Sequence, residues 1–541
     1  MRVNKDHSSP VERLHAGRSR RIAALAVVIA LAACAESPPP IGTVGHVRGF
    51  AGLVAADEPR AAVVARDVLS AGGNAADAAT ALYYTLAVTL PSTASLGGGG
   101  SCIVHDAERK TTEILEFPAL PSTESGQVAT AVPANPRGFY ALHAKYGLMR
   151  FESLLAEPER LARLGTPVSR ALANDLARVV PLLSRDPEAR AIFFRPDGAV
   201  LREGDILRQP ELAAVIANLR RNTGDFYLGM AARDLVKSVK STGGTLNLDD
   251  LRDLRPAWRD TLKVRVGTEI AHFAPPPSVG STVTAEVIGM VWPRWSDAPE
   301  DERPHLLAEA QARAFADRAR WMQRNGWSTE PPGSLVAPEK LTRLFSDYAP
   351  DRHRPVSGAS ATPPDSNVSA SFAVLDGKGS TVVCGIGTGG VFGQGRVAPG
   401  TGIVLATAPG PGAPPSATTV MVVNPHTARV HFAAGSSGGA ASPAALAETM
   451  LVALSGDTSL AEALARPRVV HLGTPDAAFV ENAPYRFDPA PLSRRGHQTA
   501  PVAMPSRVEA LRCREGQLQT PDCEAGTDPR GFGLATSVGK D

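Results

Sequence analysis

In this chain of 541 residues, sixteen consecutive positions from residue 351 show no apolar periodicity. Beyond them the pattern of apolar residues differs from the pattern before them. The stretch 351–366, DRHRPVSGASATPPDS, is rich in Pro, Ser and Asp and predicts a loop or linker. After it, SASFAVLD and STVVCGIG form one predicted strand pair, and TTVMVV and ARVHFAAG form another. Helical patterns follow strands within each half of the chain, so we expect an α+β fold with a layered core.

The half before the linker carries helices and a glycine run. Residues 58–90 have apolar side chains at three-to-four spacing and predict two helices, the second capped by Asn74. The segment PSTASLGGGG at 91–100 follows, and its four glycines allow backbone to approach backbone or a ligand closely. Further along, TLKVRVGTEIAHFA alternates as strands do, and residues 305–322 predict a long amphipathic helix.

The first 33 residues carry an excess of positive charge. Six Lys or Arg face two acidic residues there, whereas the whole chain has a net charge of +2. The twelve apolar residues 22–33 are too few to span a bilayer, which takes roughly 20. A basic start, a short apolar run and small residues therefore predict a secretory signal over 1–33. The remainder is nearly neutral, so we expect no nucleic-acid partner.

The segment LAAC, which ends at Cys34, resembles the cleavage box of bacterial lipoproteins. That resemblance implies a lipid on Cys34 at the mature N-terminus, with residues 34–50, which include a Pro-rich stretch, as a tether. Residue 35 is Ala rather than Asp, which favours the outer membrane. We therefore expect a lipoprotein on the periplasmic side of the cell envelope.

The other four cysteines fall into two groups. Cys513 and Cys523 flank a polar, turn-prone segment, and an oxidising compartment permits a disulfide between them. Cys102 and Cys384 each lie in an apolar, strand-like context, which indicates buried small hydrophobic residues. The sequence has no CxxC motif and no His/Cys cluster, so we expect neither a metal nor a cofactor.

Two serines are candidates for a nucleophile. In the first hypothesis Ser437 lies at the centre of GSSGG, a G-x-S-x-G match, with Asp476 and His497 downstream in the order of an α/β-hydrolase triad. This motif is short for a chain with 50 glycines, and the strands around it are typical of an antiparallel sheet. The second hypothesis takes Ser369, where the linker over 351–368 runs directly into a strand.

A serine at such a junction can process its own chain. Attack by the Ser369 hydroxyl on the Val368 carbonyl would give an ester, and hydrolysis would free a new N-terminus at Ser369. Its α-amine, with an ordinary pKa of about 7.7–8.0, can then act as the base for the adjacent hydroxyl. This hypothesis requires no His or Asp partner.

Six segments resemble the gamma-glutamyltranspeptidase family across roughly residues 50–540, in the same order and spacing. They are AGGNAADAATALYYTLAVTLPSTASLGGGGSCIVHD, VPANPRGFYALHAKYG, PPPSVGS, HLLAEAQARAFADRAR, FGQGRVAPGTGI and AAGSSGG. The resemblance implies an N-terminal-nucleophile hydrolase with an αββα four-layer sandwich, in which one large domain is cleaved into two subunits. The large-subunit part would be 51–350 and the small-subunit part 369–541. It also implies an enzyme that transfers or hydrolyses gamma-glutamyl groups of small-molecule or peptide amides.

The resemblance assigns roles to individual residues. The family's nucleophile position falls on Ser369, where the usual residue is Thr, and its oxyanion glycines fall on Gly438 and Gly439. A pair of serines that contact the substrate falls on Ser416 and Ala417, so one hydroxyl of that pair remains.

Two further family positions are glycine in this chain. The Thr that supports the nucleophile falls on Gly387, and a substrate-binding Asn falls on Gly389. Thr388 lies between them and is the candidate substitute, although on a strand it would point to the opposite face.

The residues that recognise a charged acyl group depart furthest from the family. Its Arg for the glutamyl α-carboxylate should follow LEF, where this sequence has PAL at 118–120, and its acidic segment is replaced by ATAPGPGAPP. Burying both charges of a glutamyl group without partners costs several kcal/mol. We therefore expect altered acyl recognition, for an uncharged or dicarboxylic amide. The alternative is a catalytically impaired, lipid-anchored member with a binding or envelope role.

Overall fold

The computed structural model describes residues 52–124, 129–323, 326–356, 369–408, 418–456, 458–504, 506–514 and 523–539. The expected signal 1–33, the tether 34–50 with Cys34, and the residues Val368 and Ser416 lie outside the described residues. Within the described ranges no helix is both long and apolar enough to cross a membrane.

The predicted strand SASFAVLD lies near the centre of the first sheet. Phe372 and Val374 pack against helices, whereas Ala373 and Leu375 face the other sheet, because successive side chains of a strand point to opposite faces. Each described strand of this sheet is antiparallel to its neighbours. In spatial order the described strands are β20 (Leu534–Val538), β1 (Gly52–Ala56), β9 (Ser369–Asp376), β10 (Thr381–Gly387), β2 (Gly99–Asp106), β3 (Thr111–Phe117) and β6 (Ala257–Arg259).

The second sheet contains the other predicted hairpins. The alternating segment TLKVRVGTEIAHFA forms a strand pair, and TTVMVV pairs with ARVHFAAG, as the sequence predicts. In spatial order its described strands are β19 (Cys523–Thr527), β18 (Arg507–Cys513), β14 (Val430–Ser437), β13 (Thr418–Val423), β8 (Glu269–Phe273) and β7 (Leu262–Val266). Shorter strands are β4 (Thr166–Pro167), β5 (Ile206–Leu207), β11 (Val397–Ala398), β12 (Ile403–Val404), β15 (Val469–His471), β16 (Ala478–Glu481) and β17 (Thr499–Val502).

One helical layer covers the outer face of the first sheet. The two helices predicted over 58–90 are present, and Asn74 caps the second: its side chain accepts from the Asp77 amide at 3.0 Å. The helices of the first half are α1 (Pro59–Ser70), α2 (Ala75–Thr89), α3 (Pro91–Ala94), α4 (Asn135–Tyr146), α5 (Phe151–Leu154), α6 (Ala156–Leu164), α7 (Arg170–Arg178), α8 (Val180–Leu183), α9 (Pro187–Phe193), α10 (Pro210–Arg221), α11 (Asp225–Leu228), α12 (Met230–Ser241) and α13 (Leu248–Asp253).

A second helical layer covers the outer face of the second sheet. The helix predicted over 305–322 runs from Arg303 to Trp321. Helices also form after the GSSGG segment, beginning with a 3₁₀ turn at Gly439–Ala441. The helices of this half are α14 (Val279–Trp295), α15 (Arg303–Trp321), α16 (Pro332–Leu335), α17 (Pro338–Leu344), α18 (Ser442–Leu454), α19 (Leu460–Ala465) and α20 (Ala490–Ser493).

Three apolar layers separate these four layers of secondary structure. One layer joins the first helices to the first sheet, the second lies between the two sheets, and the third joins the second sheet to α14, α15 and α18. The predicted αββα sandwich is therefore confirmed.

The cysteines differ from the prediction in one respect. Cys513 and Cys523 form the predicted disulfide at paired ends of β18 and β19. The prediction for Cys102 and Cys384 is wrong, because they form a second disulfide rather than separate buried thiols. They lie directly opposite each other on β2 and β10, a register that joins residues 282 positions apart.

Candidate active site

Ser369 is the first residue of β9 and lies between β1 and β10 near the middle of the first sheet. It is 2% exposed, and its hydroxyl has no hydrogen-bond partner among the described residues. Ser371, two residues on, shares its face of the strand. A side chain at Gly435 of β14 would lie 2.6 Å from Ser371 Cβ, so this face meets the second sheet. The Ser369 hydroxyl is therefore a buried, unpartnered nucleophile candidate at the sheet–sheet contact.

The strand beside Ser369 supplies backbone but no side chain. Gly387 is the residue directly opposite Ser369 on β10, so the position expected to support the nucleophile carries no hydroxyl. The four-glycine run packs against this strand end: a Cβ at Gly98 would lie 2.3 Å from the Gly387 carbonyl oxygen. The close backbone approach predicted from the glycines is confirmed.

Gly438 and Gly439 follow directly after β14, where the chain turns into the 3₁₀ turn and helix α18. Their φ angles are 115° and 63°, a region that favours glycine. A Cβ at Gly438 would also lie 2.3 Å from Ser506 Cα. Amides at the start of a helix lack intrahelical acceptors and carry partial positive charge, which suits an anion. Gly438 is three positions after Gly435, the residue of β14 that meets Ser371, so the two glycines follow the same strand that contacts β9.

A cluster of buried charged side chains lies next to β9, the strand that begins with Ser369. It consists of Asp57, Arg507 and Glu509. Asp57 accepts a hydrogen bond from the Ser371 amide at 2.8 Å, and its other oxygen lies 3.5 Å from Nε of Arg507. Burial disfavours the charge of Arg507, but surrounding carboxylates, Asp57 foremost, outweigh it and raise its pKa. Burial, reinforced by Asp57, raises the pKa of Glu509 well above its ordinary value. The cluster ties the start of β9 to β18.

Sequence reasoning missed this cluster. Asp57 and Arg507 are 450 positions apart, and only the fold brings them together. A signal was present in the segment RVEALRC at 507–513, where two Arg and one Glu interrupt an otherwise apolar strand. Charges inside a fully buried strand require partners, so they indicate a buried ion-pair network.

The Ser437 hypothesis is not supported by the fold. Ser437 ends β14, whose neighbours β13 and β18 are both antiparallel, whereas the nucleophile elbow belongs to a parallel α/β sheet. Its hydroxyl is buried without a hydrogen-bond partner among the described residues. Asp476 and His497 instead contact other histidines and Glu309. The three residues do not form a triad.

Thr388 and Gly389 hold the loop that follows β10. The Thr388 hydroxyl lies 3.0 Å from the Ser92 carbonyl oxygen and 2.6 Å from that of Gly390, so its proton is engaged by the main chain. Gly389 has φ of 71°, and a Cβ there would lie 2.4 Å from the Thr407 carbonyl oxygen. This packing explains why the substrate-binding Asn of the family is absent at that position.

Near the end of β3 the chain presents apolar groups. Positions 118–120 are Pro, Ala and Leu, and the backbone of Ala119 lies against Gly99, where a Cβ would be 2.3 Å from its nitrogen. Burial raises the pKa of Glu116 to about 7, although Arg259 lies 2.7 Å away and favours the ionised form. Positions 118–120 thus supply no cationic side chain.

A four-layer αββα core whose central strand begins with a buried serine defines the class of N-terminal-nucleophile hydrolases. The sequence profile described as gamma-glutamyltranspeptidase matches residues 61–538. The chain belongs to the gamma-glutamyltranspeptidase family, whose members are hydrolases and transferases with this core.

Individual proteins agree with this placement. The glutathione hydrolase proenzyme of Escherichia coli (strain K12) is 26% identical over 572 residues, which cover 94% of this chain and 97% of that protein. The glutathione hydrolase proenzyme of Bacillus subtilis (strain 168) is 30% identical over 322 residues, 54% of each chain. The crystal structure of cephalosporin acylase from Bacillus halodurans superposes with a TM-score of 0.76 at 22% identity, covering 93% of this chain and 98% of that one. This last similarity concerns the fold.

Proposed function

We propose that the chain cleaves itself between Val368 and Ser369 and then uses Ser369 as an N-terminal nucleophile. The hydroxyl oxygen attacks the Val368 carbonyl, the peptide C–N bond breaks, and water hydrolyses the resulting ester. The freed α-amine of Ser369 then takes the hydroxyl proton during acyl transfer. The observation that carries the proposal is the unpartnered, buried hydroxyl of Ser369 at the first position of a central strand.

The amides of Gly438 and Gly439 would stabilise the negative charge of the tetrahedral intermediate. Their positive φ angles and their place before α18 support this role. Preorganised backbone donors of this kind are among the largest contributions to acyl-transfer catalysis.

The acyl donor would be a gamma-glutamyl or related amide recognised differently from the family's usual substrate. The absence of a cation at 118–120 favours an uncharged acyl group, and the loss of the acidic segment that would hold an α-amine favours a dicarboxylic one. Ser416 is the proposed remaining hydroxyl for the substrate. Thr388 would contribute by holding the loop after β10, with acceptor capacity left on its oxygen.

The protein would act outside the cytoplasm, anchored through a lipid on Cys34. Two disulfides among the described residues support an oxidising compartment. Cys34→Ala should release the protein from the membrane fraction. Equal membrane association of both forms would contradict the anchor.

Denaturing gel electrophoresis with N-terminal sequencing tests self-cleavage. Cleavage would give fragments 34–368 and 369–541, roughly 35 and 18 kDa by mean residue mass. Because Cys102 and Cys384 lie on opposite sides of the cleavage position, the two fragments should separate only under reducing conditions. A small fragment that begins at Ser369 in wild type and in Ser369→Thr, but not in Ser369→Ala, is the expected result. An intact wild-type chain under reducing conditions would refute self-processing.

A second candidate function is a non-catalytic, lipid-anchored protein with a binding or envelope role. The observation that favours it is Gly387, which leaves the Ser369 hydroxyl without a neighbouring donor or acceptor on β10. Chromogenic gamma-glutamyl, glutaryl and acetyl anilides distinguish the two functions. Turnover of any of them by wild type but not by Ser369→Ala supports the enzyme, and no turnover by processed protein supports the alternative.

A further inference from the structure

A cluster of histidines lies in the second half of the molecule, outside the candidate active site. His305 lies on α15, His353 lies in the last described segment before residue 357, His471 ends β15 and His497 precedes β17. One ring nitrogen of each of His353, His471 and His497 lies within 4.8 Å of the other two. His471 is fully buried and His497 is 5% exposed. The residues are far apart in sequence, so no motif reveals the cluster.

The hydrogen bonds of His497 leave one nitrogen with a free lone pair. Nε2 of His305 donates to the Ala349 carbonyl oxygen at 2.9 Å, so in the neutral ring Nδ1 of His305 is an acceptor. Nε2 of His497 therefore donates to that Nδ1, at 2.8 Å. Nδ1 of His497 is then unprotonated, and it is buried without a partner among the described residues.

His353 has the environment of a metal-ligating histidine. Its Nδ1 donates to Glu309 Oε1 at 2.5 Å, and Arg313 holds the other oxygen of Glu309 at 2.7 Å. Its Nε2 donates to Asp476, 3.1 Å from both carboxylate oxygens, so in the metal-free chain both ring nitrogens carry protons. An ion would replace the proton on Nε2, while Glu309 keeps hold of Nδ1, the arrangement that orients a ligating histidine.

His471 completes the set. The Gly473 amide donates to Nδ1 of His471 at 3.1 Å, so in the neutral ring the proton is on Nε2. That Nε2 lies 3.3 Å from Asp476 Oδ1 without a well-oriented hydrogen bond. Coordination through Nε2 would place the ring proton on Nδ1, and that contact with Gly473 would open.

We propose that His353, His471 and His497 bind one divalent transition-metal ion, zinc in the first instance, with Asp476 as an adjacent oxygen donor. Three imidazoles and a carboxylate are donors that zinc accepts in tetrahedral sites. The buried lone pair on Nδ1 of His497, which has no partner among the described residues, is the feature that an ion explains and a hydrogen-bond network alone does not.

The ion would also connect two parts of the chain. His353 precedes the proposed cleavage position, whereas His471 and His497 follow it. If the chain is cleaved, the metal would hold the end of the large-subunit part to the small-subunit part. This consequence depends on the proposed function, but metal binding itself does not.

Zinc content of the full-length chain tests the proposal. The protein is equilibrated with Zn²⁺, dialysed against metal-free buffer and analysed by mass spectrometry of the elements; we expect about one zinc per chain. Removal of zinc by a chelator should lower the melting temperature, and added Zn²⁺ should restore it. Co²⁺ in place of zinc should give the visible absorption bands of a tetrahedral site.

Three variants are compared with wild type for zinc binding. The double variant His471→Ala with His497→Ala should lose the bound zinc and the response to chelator. Glu309→Gln keeps all three ligands and should weaken zinc affinity by about 10–100-fold. His426→Ala, in the exposed turn between β13 and β14, should bind zinc as wild type does. Wild type that retains no zinc and gives no tetrahedral Co²⁺ spectrum would show that the cluster is a hydrogen-bond network only. Equal loss of zinc in His426→Ala would also overturn the proposal.

Discussion

At Ser369 the chain keeps a buried hydroxyl at the start of a central strand, whereas positions 118–120 and Gly389 lack the side chains that the family resemblance places there for a charged acyl group. We call Ser369, Gly438 and Gly439 the nucleophile end, and positions 118–120 with Gly389 the acyl end. The nucleophile end consists of strand ends and glycines whose backbone geometry excludes other residues. At the acyl end, Gly389 is likewise fixed by its backbone, whereas positions 118–120 carry ordinary L side chains that can change without altering the fold. Under the proposed function, we expect acyl-transfer geometry and substrate choice to respond to different substitutions on this sandwich.

The largest effect is expected at the nucleophile end. Gly438→Ala places a Cβ 2.3 Å from Ser506 Cα at a φ of 115°, so the turn must move and its amides with it. We expect self-cleavage and turnover to fall by about 10²–10³-fold, the usual effect of losing an oxyanion donor. The rate of fragment formation and steady-state anilide hydrolysis measure this.

Gly400→Ala is the matched control. Gly400 has φ of 72° but open space around its Cβ position. It should cost about 1–2 kcal/mol of stability from the left-handed backbone and leave the rates unchanged. Equal rate losses in both variants would mean that backbone strain, not the position of the amides, explains the effect.

The disulfide beside the nucleophile strand should contribute more stability than the distant one. In a Ser369→Ala background, removing Cys102–Cys384 opens a loop of 282 positions and should cost about 5 kcal/mol, while removing Cys513–Cys523 should cost about 3 kcal/mol. Unfolding in urea measures both losses.

In the processed protein only one of these two disulfides joins the two fragments. Without Cys102–Cys384 the fragments should separate on a non-reducing gel, whereas loss of Cys513–Cys523 should leave them joined. Separation of the fragments in wild type without reductant would contradict the first pairing.

A pH dependence should mark the acyl end. The pKa of Glu116 is about 7 in the folded chain because burial outweighs Arg259, and about 4.3 when unfolded. Between these values the folded chain binds more protons than the unfolded chain, so stability falls as pH rises and the full penalty applies above pH 7. Glu116→Gln should therefore gain about 2 kcal/mol over wild type between pH 5 and pH 8, measured in urea.

The exposed Glu108, in the turn after β2, provides the comparison. Glu108→Gln should change stability equally at both pH values, since its side chain is 71% exposed. A Glu116→Gln effect that does not change with pH would contradict the raised pKa.

Local patterns account for what could be predicted from sequence. Alternation gave the hairpins around β9 and β14, and the Asn74 cap gave the start of α2. The Cys102–Cys384 pair could not be predicted, because it depends on the register of two strands far apart in the chain. The same holds for the contact of Asp57 with Arg507.

The histidine cluster shows this limit most clearly. His305, His353, His471 and His497 have no common spacing, and each alone is typical of a buried, hydrogen-bonded histidine. The packing of α15 against β15 brings His305 and His471 close together, and no local pattern encodes it.

The smallest expected effects come from one substitution beside the nucleophile and one at the acyl end. Gly387 lies opposite Ser369 and does not have positive φ, so Gly387→Thr can place a hydroxyl beside the nucleophile. One such hydrogen bond is worth about 1 kcal/mol, which should raise the rate of self-cleavage or turnover about fivefold. Gly389→Asn should give no gain, because its Cβ would lie 2.4 Å from the Thr407 carbonyl oxygen. Fragment formation and hydrolysis of the three anilides measure both variants. A gain from Gly389→Asn on the gamma-glutamyl anilide would instead show that the acyl end can be restored by one side chain and that the two ends are not independent.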